Sequence, residues 1–449
     1  MHSTTTPHWW HCAPLLAGLL AASTTANALD LSAATTAALA NDAGIQATRF
    51  ATESQLERLP MAKAQLRPNV TLSGSINNNQ LETTTNFGQS DDNYISRNLT
   101  LAVRQPLYRP NLWKGMEQAQ SMVEDATAVL RAEEQNLTMK VAAAYFDALQ
   151  TEDQLKLIEA QRTLTLSQLD AARNALKAGT GTRTDIDEAQ ARLDMVQAQA
   201  LEARQNAEFT RRTLSAMVQQ PADVLAALDP KRLDLLALNP TDLQAWLDDA
   251  EHNSPELQAL TARVRSAELE VDKATAGHKP TLDAVAQLSS SESENVTRLF
   301  TKYKQQSLGV QFNLPLYAGG YVSAQVRSAI AEASRARMQL EATRRDLQLR
   351  VQREHRGVTE NAAKVQALEQ AERSTAQLIE STRMSHKAGV RTVIDILNAE
   401  QQHLLAKRDL AMARHLYTVS LIRLWSLAGQ ALPEKIATIN GWLAQPTQP

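Results

Sequence analysis

The 449-residue sequence has few of the residues on which compact enzymes and disulfide-stapled proteins depend. It contains 6 Phe, 6 Trp and 7 Tyr, together with 15 Gly, 15 Pro and a single Cys. The shortage of aromatic residues and turn formers argues against a compact α/β enzyme, and long stretches rich in Ala, Leu, Gln, Glu and Arg favour long helices. The lone Cys12 excludes a disulfide framework.

Three further absences narrow the class of function. Lys and Arg number 46 against 49 Asp and Glu, and no run of basic residues occurs, so we expect no nucleic acid partner. No segment approaches the ~18 consecutive apolar residues of a membrane-spanning helix. The nine His are scattered along the chain. We therefore predict that the protein is not an enzyme and has no catalytic site, metal or cofactor.

A short apolar segment lies near the N-terminus, from Ala13 to Ala22. It is too short to span a bilayer as a helix, and it is followed by the small-x-small signature Ala26-Asn27-Ala28. These features predict a secretory signal peptide over residues 1–28. A buried N-terminal helix is the alternative, because the first twelve residues contain no Lys or Arg. Cys12 precedes the apolar segment, which argues against lipoprotein cleavage.

The sequence is internally duplicated. Matched landmarks recur at an offset of roughly 210 residues, and such repetition decides architecture. We predict a first repeat over 29–218, a Pro-rich linker or equatorial region over 219–240, a second repeat over 241–430 and a C-terminal tail over 431–449. The landmark pairs are Arg67-Pro68 with Lys279-Pro280, Pro106-Leu107-Tyr108 with Pro315-Leu316-Tyr317, Lys177-Ala178-Gly179 with Lys387-Ala388-Gly389, and Asp185 with Asp395.

Each repeat contains two runs in which apolar and polar residues alternate strictly. Period two predicts β-strands with one apolar and one polar face, and a run of about ten residues is the length that a tilted strand needs to cross a membrane. An amphipathic hairpin on a soluble core is the alternative. The predicted hairpin tips, residues 80–93 and 289–302, are polar loops. Aromatic residues stand at the opposite strand ends and fit a membrane-interface belt: Tyr108, Trp113, Tyr317 and Tyr321.

The longest predicted elements are two helices, from about residue 111 to 177 and from 321 to 387. Apolar or small residues recur there at spacings of three and four, which predicts a coiled-coil seam. At 1.5 Å per residue each helix is roughly 100 Å long, so the pair must project as a stalk. Shorter helices are expected to flank each long helix end to end, over residues 30–64 with 183–218 and 241–276 with 391–428.

Four strands cannot close a barrel in lipid, where unpaired backbone groups are costly. The chain must therefore assemble with copies of itself. Two chains would give eight strands and a narrow, plugged barrel, whereas three would give twelve. The helical stalk must also enclose an interior space, and this requirement favours three chains.

The duplicated strand-strand-long-helix plan, the Pro-Leu-Tyr strand exits and the turn Lys387-Ala388-Gly389-Val390-Arg391-Thr392-Val393-Ile394-Asp395 resemble the TolC-type outer-membrane efflux proteins over residues 29–430. The resemblance implies an all-α dominated fold with a membrane β-barrel. In it, a homotrimer forms a twelve-stranded barrel, four strands per chain, continuous with a long α-helical coiled-coil tunnel. Without a Cys at the mature N-terminus, the chain resembles the non-acylated branch, which includes partners of type I secretion.

The same resemblance implies a function. The chain would be the exit duct of a tripartite efflux or type I secretion system, in a Gram-negative outer membrane with a periplasmic extension. Its partners would be outer-membrane lipid, a periplasmic adaptor (membrane fusion protein) and an inner-membrane transporter of the ABC, RND or MFS class. An exported periplasmic coiled-coil scaffold or adaptor is the alternative function. A tunnel wall recognises little, so small molecules and polypeptides both remain open as cargo.

Candidate functional residues lie in the turns after the two long helices. Gly179 and Gly389 let the chain reverse with a positive φ. From the residues alone, the acids that follow, Asp185 and Asp395, fit helix N-capping, with Thr184 or Thr392, as well as they fit a functional role.

The family resemblance adds specific roles at these turns. It implies that Arg391 is a gate arginine, that Asp185 belongs to the network that constrains the gate, and that Asp395 contributes to a ring of acids at the constriction. His386 replaces the usual gate Tyr, and Asn398 replaces a second ring acid. These two departures imply a less negative constriction and a latch that responds to pH.

Overall fold

The computed structural model describes residues 28–294 and 300–444, and within them the chain is a bundle of long helices joined to a four-stranded sheet. The predicted signal peptide lies almost entirely outside the described residues. No helix in these two ranges is both long and apolar enough to cross a membrane. The elements are α1 Leu31–Asn41, α2 Ala43–Leu56, α3 Arg58–Ala64, β1 Asn69–Thr85, β2 Gly88–Tyr108, α4 Pro110–Lys177, α5 Arg183–Val218, α6 Leu243–Asn253, α7 Pro255–Thr275, a 3-10 turn Ala276–His278, β3 Thr281–Glu294, β4 Phe300–Asn313, α8 Tyr321–Lys387, α9 Val393–Leu427 and α10 Leu432–Asn440.

The two very long helices are confirmed. Helix α4 has 68 residues and α8 has 67, so each is roughly 100 Å long. Pro110 occupies the first turn of α4, where its missing N–H costs nothing. Gly320, with a φ of 82°, precedes α8 and turns the chain out of the sheet.

The shorter helices flank the long ones, and the predicted pairing holds in part: α1 to α3 and α5 pack on α4, and α6 and α9 pack on α8. Helix α7 packs against both long helices, and more extensively against α4 than against α8. The expectation of continuous entering helices over 30–64 and 241–276 is wrong, because both are interrupted. At Asp42 the backbone is extended and the side chain accepts a hydrogen bond from the N–H of Ile45, which starts a new helix. Ser254 is extended because Pro255 follows it.

The sheet is antiparallel in the order β1-β2-β3-β4. Its register brings the apolar positions of all four strands onto one face, since Val70 pairs with Val103, Val103 with Ala286, and Ala286 with Leu308. The opposite face carries Ser, Thr, Asn and Gln. One apolar and one polar face is the pattern of a barrel wall between lipid and a water-filled interior.

The predicted loop over residues 80–93 is wrong, because β1 and β2 continue through it and leave only Asn86 and Phe87 as a turn. Strand β1 has 17 residues and β2 has 21. A ladder of backbone hydrogen bonds forms there without an apolar face, and β-branched Thr83, Thr84 and Thr85 favour it. In the second hairpin the strands reach Glu294 and Phe300, and residues 295–299 lie outside the described residues.

The hydrophobic core lies beside the middle of α4. Buried Tyr145 and Phe146 of α4 meet Trp246 of α6 and Tyr417 of α9 there. The Tyr145 hydroxyl lies 3.0 Å from the carbonyl oxygen of Leu29 and 2.8 Å from that of Ala226, and so ties the start of the chain and the linker to α4. Residues 431–444 are also folded into this core, through α10 and the buried side chains of Leu432, Ile436, Ile439, Trp442 and Leu443.

Candidate functional site

The turns that join α4 to α5 and α8 to α9 have the same backbone geometry. Gly179 has a φ of 74° and Gly389 a φ of 75°, with open space where a side chain would start. In each turn the N–H after the glycine donates back to a carbonyl five residues earlier, from Thr180 to Ala175 at 2.9 Å and from Val390 to Ser385 at 3.0 Å. These bonds satisfy the last carbonyls of the long helices, which explains the Lys-Ala-Gly sequence at both sites.

Both returning helices begin with a capping box. The Thr182 N–H donates to Asp185 Oδ2 at 2.9 Å, and the Asp185 N–H donates to the Thr182 hydroxyl at 3.2 Å. Thr392 and Asp395 repeat these bonds at 2.9 and 3.3 Å. The expected capping role of Thr184 is wrong, because Thr182 is the cap and Thr184 already lies inside α5.

The capping boxes keep both acids ionised. Hydrogen bonds from the backbone and hydroxyl of Thr182 lower the pKa of Asp185. The same bonds from Thr392 lower the pKa of Asp395, and Arg391 adds a smaller effect in the same direction. Both carboxylates are therefore charged at neutral pH and stand in the first turn of a helix, where negative charge is stabilising.

Arg391 lies beside the acid of its own turn. Its Nη1 is 3.4 Å from Asp395 Oδ1, and its side chain is 59% exposed. Within one chain, the described residues show Arg391 paired with Asp395 and not with Asp185. His386 is half-buried in the last turn of α8, and its ring has no hydrogen-bond partner among the described residues.

A polar cluster just above the tips joins the two halves of the chain. Asn398 accepts a hydrogen bond from Arg192 of α5 at 3.4 Å, and Arg192 also pairs with Glu188 at 3.0 Å. Two residues further along α9, Glu400 is only 6% exposed. It accepts from Gln168 of α4 at 2.6 Å and from Arg383 of α8 at 2.8 Å.

Sequence reasoning missed Glu400. The available signal was its position three residues after Leu397, which places a charge on the buried face of α9. Glu400 and His403 also have the Glu-x-x-His spacing of some metal sites. His403 bonds instead to the Thr375 hydroxyl at 3.1 Å. Residues 28–294 and 300–444 hold no group of three possible metal ligands.

An open groove runs beside this cluster, between α4, α5 and α9. Its volume is about 550 Å³. Gln161, Gln168, Arg192, Glu400 and Gln401 line its polar side. The mixture of amides and charges is suited to protein contacts or water and offers no enclosed site for a small molecule.

A second buried acid, also missed from the sequence, joins the sheet to the helices. Asp283 of β3 is 2% exposed. It accepts hydrogen bonds from Arg104 of β2 at 2.9 Å and from Arg109, just before α4, at 2.8 Å. Two arginines around one carboxylate satisfy a buried charge that would otherwise be very costly. The arrangement ties the residue before α4 to strand β3.

The same fold occurs in solved outer-membrane channels. VceC of Vibrio cholerae superimposes with a TM-score of 0.77 at 18% identity, over 90% of this chain and 96% of that one. The open state of MtrE of Neisseria gonorrhoeae gives a TM-score of 0.72 at 18% identity, over 90% of this chain and 89% of that one. The expected fold class is confirmed: helices dominate, and each chain contributes four strands to a membrane barrel continuous with a helical tunnel.

Sequence comparison agrees with the fold. The chain is 30% identical to the proteases secretion protein PrtF of Dickeya chrysanthemi, over 93% of this chain and 92% of that protein. It is 32% identical to the alkaline protease secretion protein AprF of Pseudomonas aeruginosa, over 87% of this chain and 82% of that protein. With TolC of Escherichia coli K12 the identity is 27%, over 88% and 81% of the two chains.

A profile of the family described as outer membrane efflux protein matches residues 34–218 and 246–430, one match in each half of the duplication. The proteins of this family are outer-membrane channels, which rules against the scaffold alternative. The chain belongs to the outer membrane efflux protein family, and it is an outer-membrane exit duct of an efflux or type I secretion system in a Gram-negative bacterium.

Proposed function

We propose that three copies of this chain form the exit duct of a type I secretion system that exports a polypeptide. The observation that carries the proposal is the identity of 30% over nearly the whole of a proteases secretion protein, with 32% to a second protein of similar name. The partners would be a periplasmic adaptor and an inner-membrane ABC transporter. RND and MFS transporters belong to the efflux alternative, in which the cargo is a small molecule.

The trimer is supported by the open edges of the sheet. Strands β1 and β4 are the edges within one chain, and each presents unpaired backbone groups. Pairing β4 of one chain with β1 of the next closes the sheet without an edge, as lipid requires. Three chains give twelve strands, a diameter that leaves an aqueous interior.

The gate is proposed at the two turns. In a threefold tunnel, Gly179 and Gly389 turns from three chains would gather at the periplasmic end. Asp395 would then stand in a ring of three carboxylates, and Asn398 would stand one turn further into the tunnel. Arg391 would balance part of the ring charge, because it already lies 3.4 Å from Asp395 in one chain. Asp185 and His386 would surround the ring.

An export assay tests the proposal. The chain is produced in a Gram-negative host that lacks its own exit duct but carries a protease-specific ABC transporter and adaptor. Protease activity in the medium is measured beside the resistance of the same cells to small toxic compounds. Restored protease export supports the proposal. Restored resistance without protease export would contradict it and favour the efflux alternative.

The loss-of-function control for this assay is Ala144→Pro. A proline at the middle of α4 removes a helix hydrogen bond and kinks the helix, at a cost of about 3 kcal/mol or more. We expect this variant to lose export. Trimer formation is followed in parallel by the mobility of unheated and heated outer-membrane extracts on gels.

A further inference from the structure

The apolar face of the sheet is the one that faces lipid. Its apolar residues are well exposed in the single chain, with Leu308 86% exposed, and Val70 and Val310 both 62%. Such exposure in a soluble protein would be unusual, and here lipid covers it. Because side chains alternate along a strand, every second residue of each strand belongs to this face.

A row of charged residues interrupts that face near the hairpin ends. In the register of the sheet, Arg97 pairs with Glu292, and Glu292 pairs with Lys302. All three share the parity of the apolar residues, so they point to the same side. Lys304, paired with Ser290, lies two residues nearer the apolar band. The group therefore contains three cations and one carboxylate.

The single carboxylate cannot neutralise the group. Glu292 forms an ion pair with Lys302. Lys304 has no carboxylate partner in the described part of the chain. The net charge of the four side chains is +2. On β4 the same face is apolar from Phe312 to Leu308, and Gln306 separates this apolar stretch from Lys304.

The height of the row matches one membrane interface. Phe312, near the helices, and Lys304 are eight residues apart on β4, which is roughly 26 Å along the strand. A tilt of about 40° reduces this to roughly 20 Å across the membrane, close to the apolar band of an outer-membrane barrel. The cations therefore lie at the interface remote from the periplasmic helices, among lipid headgroups of the outer leaflet.

We propose that Arg97, Lys302 and Lys304 bind the phosphate groups of an anionic lipid in the outer leaflet of the outer membrane. The planar guanidinium can bind phosphate with two parallel hydrogen bonds, and the two ammonium groups add charge. Leu99, two residues below Arg97, and Leu308, four residues below Lys304, provide an apolar surface for the acyl chains. Clusters of basic residues at a membrane surface attract anionic lipid in this way.

Lipid binding is measured on the detergent-extracted full chain. The probe is fluorescent diphosphoryl lipid A, compared with the same glycolipid after removal of its phosphates. We expect the phosphorylated lipid to bind at least about tenfold more tightly. The triple variant Arg97→Gln, Lys302→Gln, Lys304→Gln should abolish that preference. Equal binding of the two lipids, or an unchanged preference in the triple variant, would overturn the proposal.

Two controls keep the test sharp. Lys156→Gln, Lys231→Gln and Arg335→Gln together remove three exposed cations outside the sheet, and this variant should bind as the parent does. If the triple variant fails to assemble, the variant Glu292→Gln tests the proposal instead. Removal of the competing carboxylate should strengthen the binding of phosphorylated lipid. Weaker or unchanged binding by Glu292→Gln would contradict the proposal. Full competition by equimolar inorganic phosphate would also overturn it, since a lipid site depends on the acyl chains as well.

Discussion

Replacing Glu400 tests whether the two helical hairpins of one chain act as a unit. Its carboxylate is buried and accepts hydrogen bonds from Gln168 at 2.6 Å and Arg383 at 2.8 Å, which belong to different halves of the chain. A hydrogen bond to a charged group contributes about 1.5–3 kcal/mol. The Arg383 side chain is 49% exposed, so it can bond to water when the carboxylate is removed. We therefore expect its bond to contribute at the low end of that range.

Two substitutions at Glu400 should differ in a graded way. Glu400→Gln keeps an acceptor for both donors, and we expect a loss of about 1–2 kcal/mol per chain. Glu400→Ala removes both bonds and opens a cavity, and we expect about 3–4 kcal/mol per chain. The loss is measured as the temperature at which the detergent-extracted trimer dissociates on a gel.

Conductance in planar bilayers then distinguishes a loss of stability from a loss of coupling between the two helical hairpins of one chain. The matched control is Glu369→Gln, which breaks an ion pair of equal length, 2.8 Å to Arg414, but one that joins α8 to α9 within a single hairpin. Both variants should lower the dissociation temperature. Only Glu400→Gln should raise the conductance of the closed channel, because it frees one hairpin from the other. Equal conductance in the two variants would refute a coupling role for Glu400.

Four further outcomes are expected. Arg391→Ser should raise conductance without lowering trimer yield. Asp395→Asn should weaken the block of the pore by a trivalent cation, and Asn398→Asp should strengthen it. Asp185→Asn alters an identical capping box and should leave the block unchanged. Equal effects of the two Asp→Asn changes would contradict a ring of Asp395 carboxylates. Because both capping acids have a lowered pKa, their stabilisation is full above about pH 4 and is lost as the pH falls through their folded pKa values, so hydrogen exchange at both turns should accelerate there. Tyr145→Phe should lower the dissociation temperature through a loss of about 1–3 kcal/mol per chain, since the Ala226 carbonyl loses its donor and the Leu29 carbonyl keeps only the bond from the Ala226 N–H.

Local rules explain why the long elements could be predicted from the sequence. Helices α4 and α8 end where Lys-Ala-Gly supplies a left-handed residue, and their seams repeat at helical spacing over many turns. The break before Pro255 was equally readable, because the residue before a proline avoids helix, and it was missed. The roles of the tip residues and the boundaries at 28, 218, 240 and 430 stay predictions.

Contacts between distant parts of the chain could not be predicted. Glu400 and Gln168 are 232 residues apart, and Asp283 is 174 residues from Arg109. Period and propensity describe which face of an element is buried, but they do not say which element covers it. Residues 80–85 show a related limit, since polar strand residues lack the alternation that predicts a strand and are held by backbone pairing together with side-chain hydrogen bonds such as Gln89 to Glu82.

The duplication also shows where the two turns differ in chemistry. Glycine and the capping box occupy equivalent positions in both, so the backbone of the turn does not depend on the residues between them. Arg391 and Gly181 occupy one such equivalent position. At Gly181 a Cβ atom would lie 3.0 Å from Ala175 Cβ and 3.0 Å from the Leu176 nitrogen, closer than ordinary van der Waals contact. A side chain at this position of the first turn would therefore require its neighbours to move by a few tenths of an ångström, whereas the second turn carries Arg391 there.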